Sequence, residues 1–386
     1  MGGKSKQSQR TKNNARPSSS GRSAELLNNV INTESTFGAL STGKMVPALF
    51  PTMTTIIDNI LSNEFVLAFK KLNKKDPITR IKALQELLEL INKSDIEEVV
   101  AALPNWTVFY LMLTVDNDRK VREFTQACNG AIFSRSGRRA APHLRRLLPV
   151  WLLAVHDDYG PARHTASTHL DSTFPGVKLS EAIAFCKTEI MALVLDNLIG
   201  NPEAILNKKI EAPEERQSAA SRVRAGSLGA LGLLLRLLPP HLPLDPALQP
   251  LLSAAPFWKL HAHDDHHVRA AWFEAAGRLI EREGGRLGET VGGRLSAAIL
   301  AQPERRPDVA AARWAALLLM LRVEDWQKWV QKKDLLVKRL LDTIENGAWG
   351  DASLAGDILL PLLARLPEDL RSKELYGDLT RALFAG

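Results

Sequence analysis

The 386-residue sequence predicts an all-α fold: an α-solenoid preceded by a disordered basic tail. Three observations carry that reading. Apolar residues recur at three- and four-residue steps over most of the chain, and no stretch sustains strand alternation. Pro104, Pro142, Pro149, Pro161 and Pro175 fall between such runs, where helix boundaries are expected. An Asp–Arg pair also recurs, as Asp76–Arg80, Asp118–Arg122, Asp158–Arg163, Asp265–Arg269 and Asp308–Arg313.

The arginines of these pairs step by 42, 41, 106 and 44 residues. The three short steps lie near the period of about 40–47 residues for HEAT and armadillo repeats. The long step spans two irregular units and a polar insertion. In such a unit the aspartate sits at the turn between two antiparallel helices, where its charge suits the N-terminal dipole of the second. The arginine is then placed to reach the aspartate of a neighbouring unit. Asp118, Arg122, Asp265 and Arg269 are the clearest members of such a ladder.

Taken in order, residues 1–22 carry Lys4, Lys6, Arg10, Lys12, Arg16 and Arg22 with no acid and no apolar period, so they are expected to be disordered. The formal charge of the chain is +7, and subtracting this tail leaves +1 for the rest. Residues 23–54 hold a short helix, SAELLNNVI, and a Thr-, Gly- and Pro-rich linker. Residues 55–200 form the first repeats: IKALQELLELINK places Ile81, Leu84, Leu87, Leu88 and Ile91 on one stripe. SDIEEVVAAL follows with Ser94 as the expected N-cap. Residues 201–222 read as a polar insertion, and 223–386 as further repeats.

Composition excludes several classes. Two cysteines, Cys128 and Cys186, rule out a disulfide scaffold or a Cys-rich zinc module and fit a reducing compartment. Both are expected to be inert core thiols. No run approaches the roughly 18 apolar residues of a membrane span, and no membrane partner is expected. Gly2 starts no myristoylation motif, because Lys6 stands where Ser or Thr is needed. Phosphate-loop, nucleophile-elbow and HExxH patterns are missing. The stretch HAHDDHH sets His263 and His267 four apart, a zinc-compatible spacing, yet it occupies a turn where histidine is an ordinary polar residue, so no metal is assigned. Trp106, Trp151, Trp258, Trp272, Trp314 and Trp326 are expected to pack between helices.

Two basic features point to phosphate. One is the tail. The other is SRSGRRAAPHLRR, where Arg135, Arg138, Arg139, Arg145 and Arg146 cluster in a stretch free of acids from Glu123 to Asp157.

Several blocks resemble the N-terminal region of the listerin family of E3 ubiquitin ligases. They are MGGKSKQSQRTKNNARPSSSGRSAELL, LNKKDPITRIKALQEL, DNDRKVREFTQ, APHLRRLLPVWLLAVHDDYGPARHTASTHLDSTFPGVKLSEAIAFCKTEIM and FWKLHAHDDHHVRAAWFE, in that order from Met1. The resemblance implies a long HEAT/armadillo solenoid of ribosome-associated quality control. It implies as partners the large ribosomal subunit and its rRNA, together with the nascent-chain-export mediator factor. E2 and ubiquitin are expected to engage only through a C-terminal RING, which would also hold the only zinc; no cofactor is expected in this chain. Two cysteines cannot supply a RING, so the chain is expected to dock and not to catalyse alone. Lys4, Lys6, Arg10, Lys12, Arg16, Lys74 and Lys75 match basic positions of the family and, with Arg135, Arg138 and Arg139, are the expected RNA contacts. The expected location is the cytosol. The competing reading is a generic HEAT scaffold for protein partners, whose binding would depend less on salt.

Overall fold

The structure is a computed structural model that describes residues 61–206, 210, 212–242, 245–301, 304–330, 333–346 and 359–385. Regular structure among these residues is entirely helical. The basic tail, with Lys4, Lys6, Arg10, Lys12 and Arg16, and the SAELLNNVI segment lie outside the described residues.

Local chemistry sets the first elements. Helix α1 (Asn63–Leu72) is capped by Ser62 and buries Phe65, Ala68, Phe69 and Leu72 at helical spacing. In α2 (Pro77–Lys93) the Asp76 carboxylate accepts the Thr79 N–H at 2.8 Å and proline takes the first position. Its stripe of Ala83, Leu84, Leu87 and Ile91 is fully buried, at about 1.5–3 kcal/mol for each large side chain. Helix α3 (Ile96–Thr114) starts one residue later than the sequence suggests: Asp95 is its N-cap, and Ser94 ends α2. Asp118 caps α4 (Arg119–Ser136), accepting from the Lys120 and Val121 amides at 2.8 and 3.0 Å. Gly137, at φ +50°, ends that helix in a conformation that glycine adopts without strain.

A 3₁₀ turn (Gly137–His143) leads into α5 (Leu144–Ala154). Then come α6 (Gly160–Thr173), α7 (Lys178–Phe185), α8 (Lys187–Leu198) and the 25-residue α9 (Pro213–Leu237). The array continues through α10 (Asp245–Ser253), α11 (Ala255–Lys259), α12 (His266–Glu283), α13 (Glu289–Ile299), α14 (Pro307–Met320), α15 (Trp326–Trp329), α16 (Lys333–Glu345) and α17 (Lys373–Ala385).

These helices build an α-solenoid in two layers. Helices α2, α4 and α6 lie side by side, as do α9, α12 and α14. Helices α3, α5 and α8 form the second layer behind them. Trp106, Trp151 and Trp272 are fully buried, and each indole N–H donates at 3.0 Å, to Asn129 Oδ1, Ala166 O and Phe257 O respectively. Trp314 and Trp326 are buried as well, while Trp258 is half-buried. Cys128 and Cys186 are buried free thiols. Burial raises both pKa values, that of Cys186 to about 12.

The structure also differs from the sequence reading at Pro104, at Pro149 and in the 201–222 insertion. Pro104 and Pro149 lie inside α3 and α5, not between helices. Both helices are heavily buried, and that packing outweighs the lost main-chain hydrogen bond. The insertion at 201–222 is helical from Pro213: α9 exposes the polar residues of its first turns and buries nearly everything from Ala219 to Leu231. Helix α3 has the length and mean apolarity of a membrane span, although Glu97, Glu98, Pro104 and Asn105 break its apolar run. Its apolar surface is turned to α1, α4 and α5.

Candidate functional site

Each helix of the first layer begins at one edge of the solenoid, and each helix of the second layer ends there. That edge carries an arginine–carboxylate ladder. Arg80, Arg122 and Arg269 lie in the first turns of α2, α4 and α12. Each folds back onto two carbonyls of its own turn, five and six residues earlier. Arg80 donates to Lys74 O and Lys75 O at 2.9 and 2.7 Å. Arg122 donates to Asp116 O and Asn117 O at 3.0 and 3.2 Å, and Arg269 to His263 O and Asp264 O at 2.8 and 3.0 Å.

The rest of each guanidinium reaches the next unit. Arg80 pairs with Asp116 at 2.9 Å. Arg122 grips Asp157 at 2.7 and 3.0 Å and Asp158 at 2.8 Å, and Arg269 grips Glu304 at 2.8 and 3.3 Å. Asp118 and Asp265, placed in the ladder on spacing, serve instead as N-caps; Asp265 accepts the His267 amide at 2.9 Å. Asp158 is a motif aspartate that does accept from the preceding unit's arginine; Asp116, Asp157 and Glu304 are acceptors off the motif spacing. At the last pair Arg313 donates to Ile299 O and Ala301 O, and Asp308 takes no part in the ladder.

The first rungs of the ladder are buried, and the Arg269–Glu304 rung is partly exposed. The Arg122 and Asp157 side chains are 4% and 7% exposed. Burial alone would lower the Arg122 pKa, and the hydrogen bond and charge of Asp157 more than offset it, with Asp158 and Asp116 adding to the upward shift. Burial raises Asp116 and Asp157 against the pull of their arginines. Arg222, on α9, joins the same cluster from far along the chain, donating to Asn117 Oδ1 and Asp116 O at 3.3 and 3.4 Å. Asn117 in turn donates to Glu215 at 2.7 Å. The first turns of α9 are thus seated on the turn edge of the early units. Nothing in the local pattern of PEERQSAASR marks that long-range contact.

Lys74 and Lys75 lie exposed on this edge, beside the carbonyls that hold Arg80. Arg119 and Lys120 are exposed nearby, over the Tyr159 ring at 5.3 and 5.8 Å. The SRSGRRAAPHLRR arginines lie at the opposite edge, where α4 ends and α5 begins. The two basic groups are therefore separated by the length of a helix, about 25 Å for 17 residues.

At that opposite edge Arg135 donates to Ser94 O, closing the end of α2. Arg139 pairs with Glu97, and Arg145 with Glu189 at 3.2 Å while its guanidinium lies 4.5 Å from the Phe185 ring centre. Arg138 is exposed. His263 and His267 do not share a helix face, because α12 starts at His266 and leaves His263 in the turn.

A sequence profile described as the N-terminal domain of the E3 ubiquitin-protein ligase listerin matches residues 57–366. The chain belongs to the listerin family. The E3 ubiquitin-protein ligase listerin of Mus musculus is 34% identical over 97% of the chain, and those of Gallus gallus and Drosophila melanogaster are each 32% identical over 97%. The chain spans about a fifth of the length of these listerins: 21% of the mouse protein and 22% of the other two. The matched region includes every residue of the arginine ladder and both basic groups on the solenoid.

Proposed function

We propose that this chain is the ribosome-docking N-terminal region of a listerin-type E3 ubiquitin ligase acting in ribosome-associated quality control. The observation that supports this most is the match to full-length listerins over nearly the whole chain. Ubiquitin transfer to stalled nascent chains, recruitment of an E2 and zinc binding in a RING are assigned to the longer protein. This chain supplies the grip on the large ribosomal subunit in the cytosol, with the nascent-chain-export mediator factor as its protein partner.

The proposed RNA contacts are Lys4, Lys6, Arg10, Lys12 and Arg16 of the tail, Lys74 and Lys75 at the turn edge, and Arg138 and Arg139 at the opposite edge. The Arg139–Glu97 pair is half-exposed or more on both sides, so a phosphate displaces the carboxylate at little cost. Arg135 is given a smaller share, because its guanidinium already holds the Ser94 carbonyl.

Cosedimentation with isolated large subunits and with joined ribosomes, at low and moderate salt, tests the proposal. Binding is expected to large subunits only. Deleting residues 1–22, or making Lys74→Glu/Lys75→Glu or Arg138→Glu/Arg139→Glu, is expected to weaken it and to lower its salt slope by about 0.7–0.9 per lost phosphate contact. Salt-insensitive binding, or none from a fully helical protein, would favour a scaffold for protein partners.

A further inference from the structure

His263 and His267 are held apart, but a different set of side chains converges at the same turn. Asp265, His266 and His267 each offer one ligand atom, and these three atoms lie within 4.8 Å of one another. The His266 and His267 rings lie with centres 3.9 Å apart, tilted 35° to one another. His266 Nδ1 lies 4.0 Å from Asp265 Oδ1, and its other nitrogen, Nε2, lies 3.6 Å from Asp308 Oδ2 at the start of α14. All four side chains remain accessible to solvent.

We propose that Asp265, His266 and His267 form a binding site for a divalent transition-metal ion of the zinc type, with Asp308 of the next unit orienting the His266 ring.

The chemistry favours that assignment over a hard cation. Two imidazoles and one carboxylate suit zinc, whereas calcium and magnesium ask for all-oxygen cages. Bonds of about 2.0–2.2 Å to nitrogen and oxygen put adjacent ligand atoms roughly 3.3–3.6 Å apart around a tetrahedral ion. Small side-chain rotations bring the observed separations into that range. Asp308 faces Nε2 at 3.6 Å; on closing to hydrogen-bond distance it would hold the proton there and leave the Nδ1 lone pair for the metal, as in the carboxylate–histidine–metal relay of many zinc sites.

The surrounding charges are accounted for. Arg269 is taken up by Glu304. Arg306 lies 3.4 Å from Asp308 Oδ1, opposite the oxygen that faces His266. With Asp265 and Asp308 against Arg306, the set carries one net negative charge. His263 is turned away: its Nδ1 accepts the Asp265 amide at 3.0 Å, and its Nε2 faces Arg224 at 3.4 Å. Water or a partner's side chain completes the coordination. Because the His266 ring spans from its own turn to Asp308, the ion would tie the α12 turn to the α14 turn where the arginine ladder already joins them.

Zinc chloride titrated calorimetrically into the chelator-treated full chain tests the assignment. One zinc per chain is expected, with magnesium failing to compete. His266→Ala and His267→Ala should each abolish saturable binding, and Asp308→Asn should weaken it about tenfold or more. His263→Ala, with helicity checked by circular dichroism, should leave it unchanged. Absence of saturable binding in the wild type overturns the proposal. So does zinc binding that survives in His266→Ala and His267→Ala, or that is lost equally in His263→Ala.

Discussion

At the scale of single residues, His156 is the clearest conflict between packing and charge. Its ring lies against α9 at Gly229, and its Nε2 is buried without a hydrogen-bond partner. Burial, with Arg236 and Arg163 adding repulsion, lowers its pKa from 6.5 to about 4. Below pH 6.5 the unfolded chain therefore takes up a proton that the folded chain refuses. Stability should be highest above pH 6.5, fall as the pH drops through that value and level off near pH 4. The shift corresponds to a loss on the order of 3 kcal/mol across the window. His156→Leu should flatten this slope when urea unfolding is followed from neutral to acidic pH. An unchanged slope would place the titration on another group.

At the scale of elements, close contact between helices turns on a few small residues. A Cβ at Gly229 would come within 2.2–2.6 Å of the His156 ring. Alanine in mid-helix normally gains about 1 kcal/mol over glycine. Here the clash should reverse the sign and cost a net 1–2 kcal/mol or so. Gly293→Ala in α13, where nothing lies within 4 Å, should show the ordinary gain instead. Denaturant midpoints of Gly229→Ala, His156→Ala and the double variant read this directly, because the double variant should recover part of the loss. Sub-additive recovery of zero would mean the two helices are not in contact there.

The same scale shows what the sequence made legible. Asp76, Asp118 and Asp265 were readable as helix starts, because an N-cap is a contact within two or three residues. The ladder arginines were readable by period. Of their acceptors only Asp158 sits at a motif position; Asp116, Asp157 and Glu304 are chosen by how successive units stack, and no fixed offset encodes that. Pro104 and Pro149 misled for a related reason, since the penalty for an interior proline is local and the burial that offsets it is not. The Asp265–His266–Asp308 grouping joins two turns 42 residues apart, which no spacing within HAHDDHH encodes.

At the scale of the whole molecule, the early units and α9 meet in one buried charge cluster centred on Arg122. Removing that guanidinium strands Asp157 in the interior, while Asp116 keeps its pair with Arg80. Arg122→Ala should cost about 3–5 kcal/mol, and Arg122→Lys nearly as much, because a single ammonium cannot replace the fork. In an array held by neighbour contacts, such a break should also broaden the urea transition and lower its slope, as the halves begin to unfold separately. A loss under 1 kcal/mol or so, with an unchanged slope, would show that water replaces the cluster without penalty.

The way the ladder arginines hold their turns bears on how the chain can diverge. Each spends its first hydrogen bonds on peptide oxygens, which every residue type supplies. The turns that receive Arg80, Arg122 and Arg269 read NKKDP, VDNDR and AHDDH, and they make the same pair of bonds. Side chains at the outer positions of these turns are therefore free to drift, to be recruited for a ligand or to change sign, while the main chain beneath stays fixed. A solenoid fastened in this way can remodel its rim from one lineage to the next without giving up its shape.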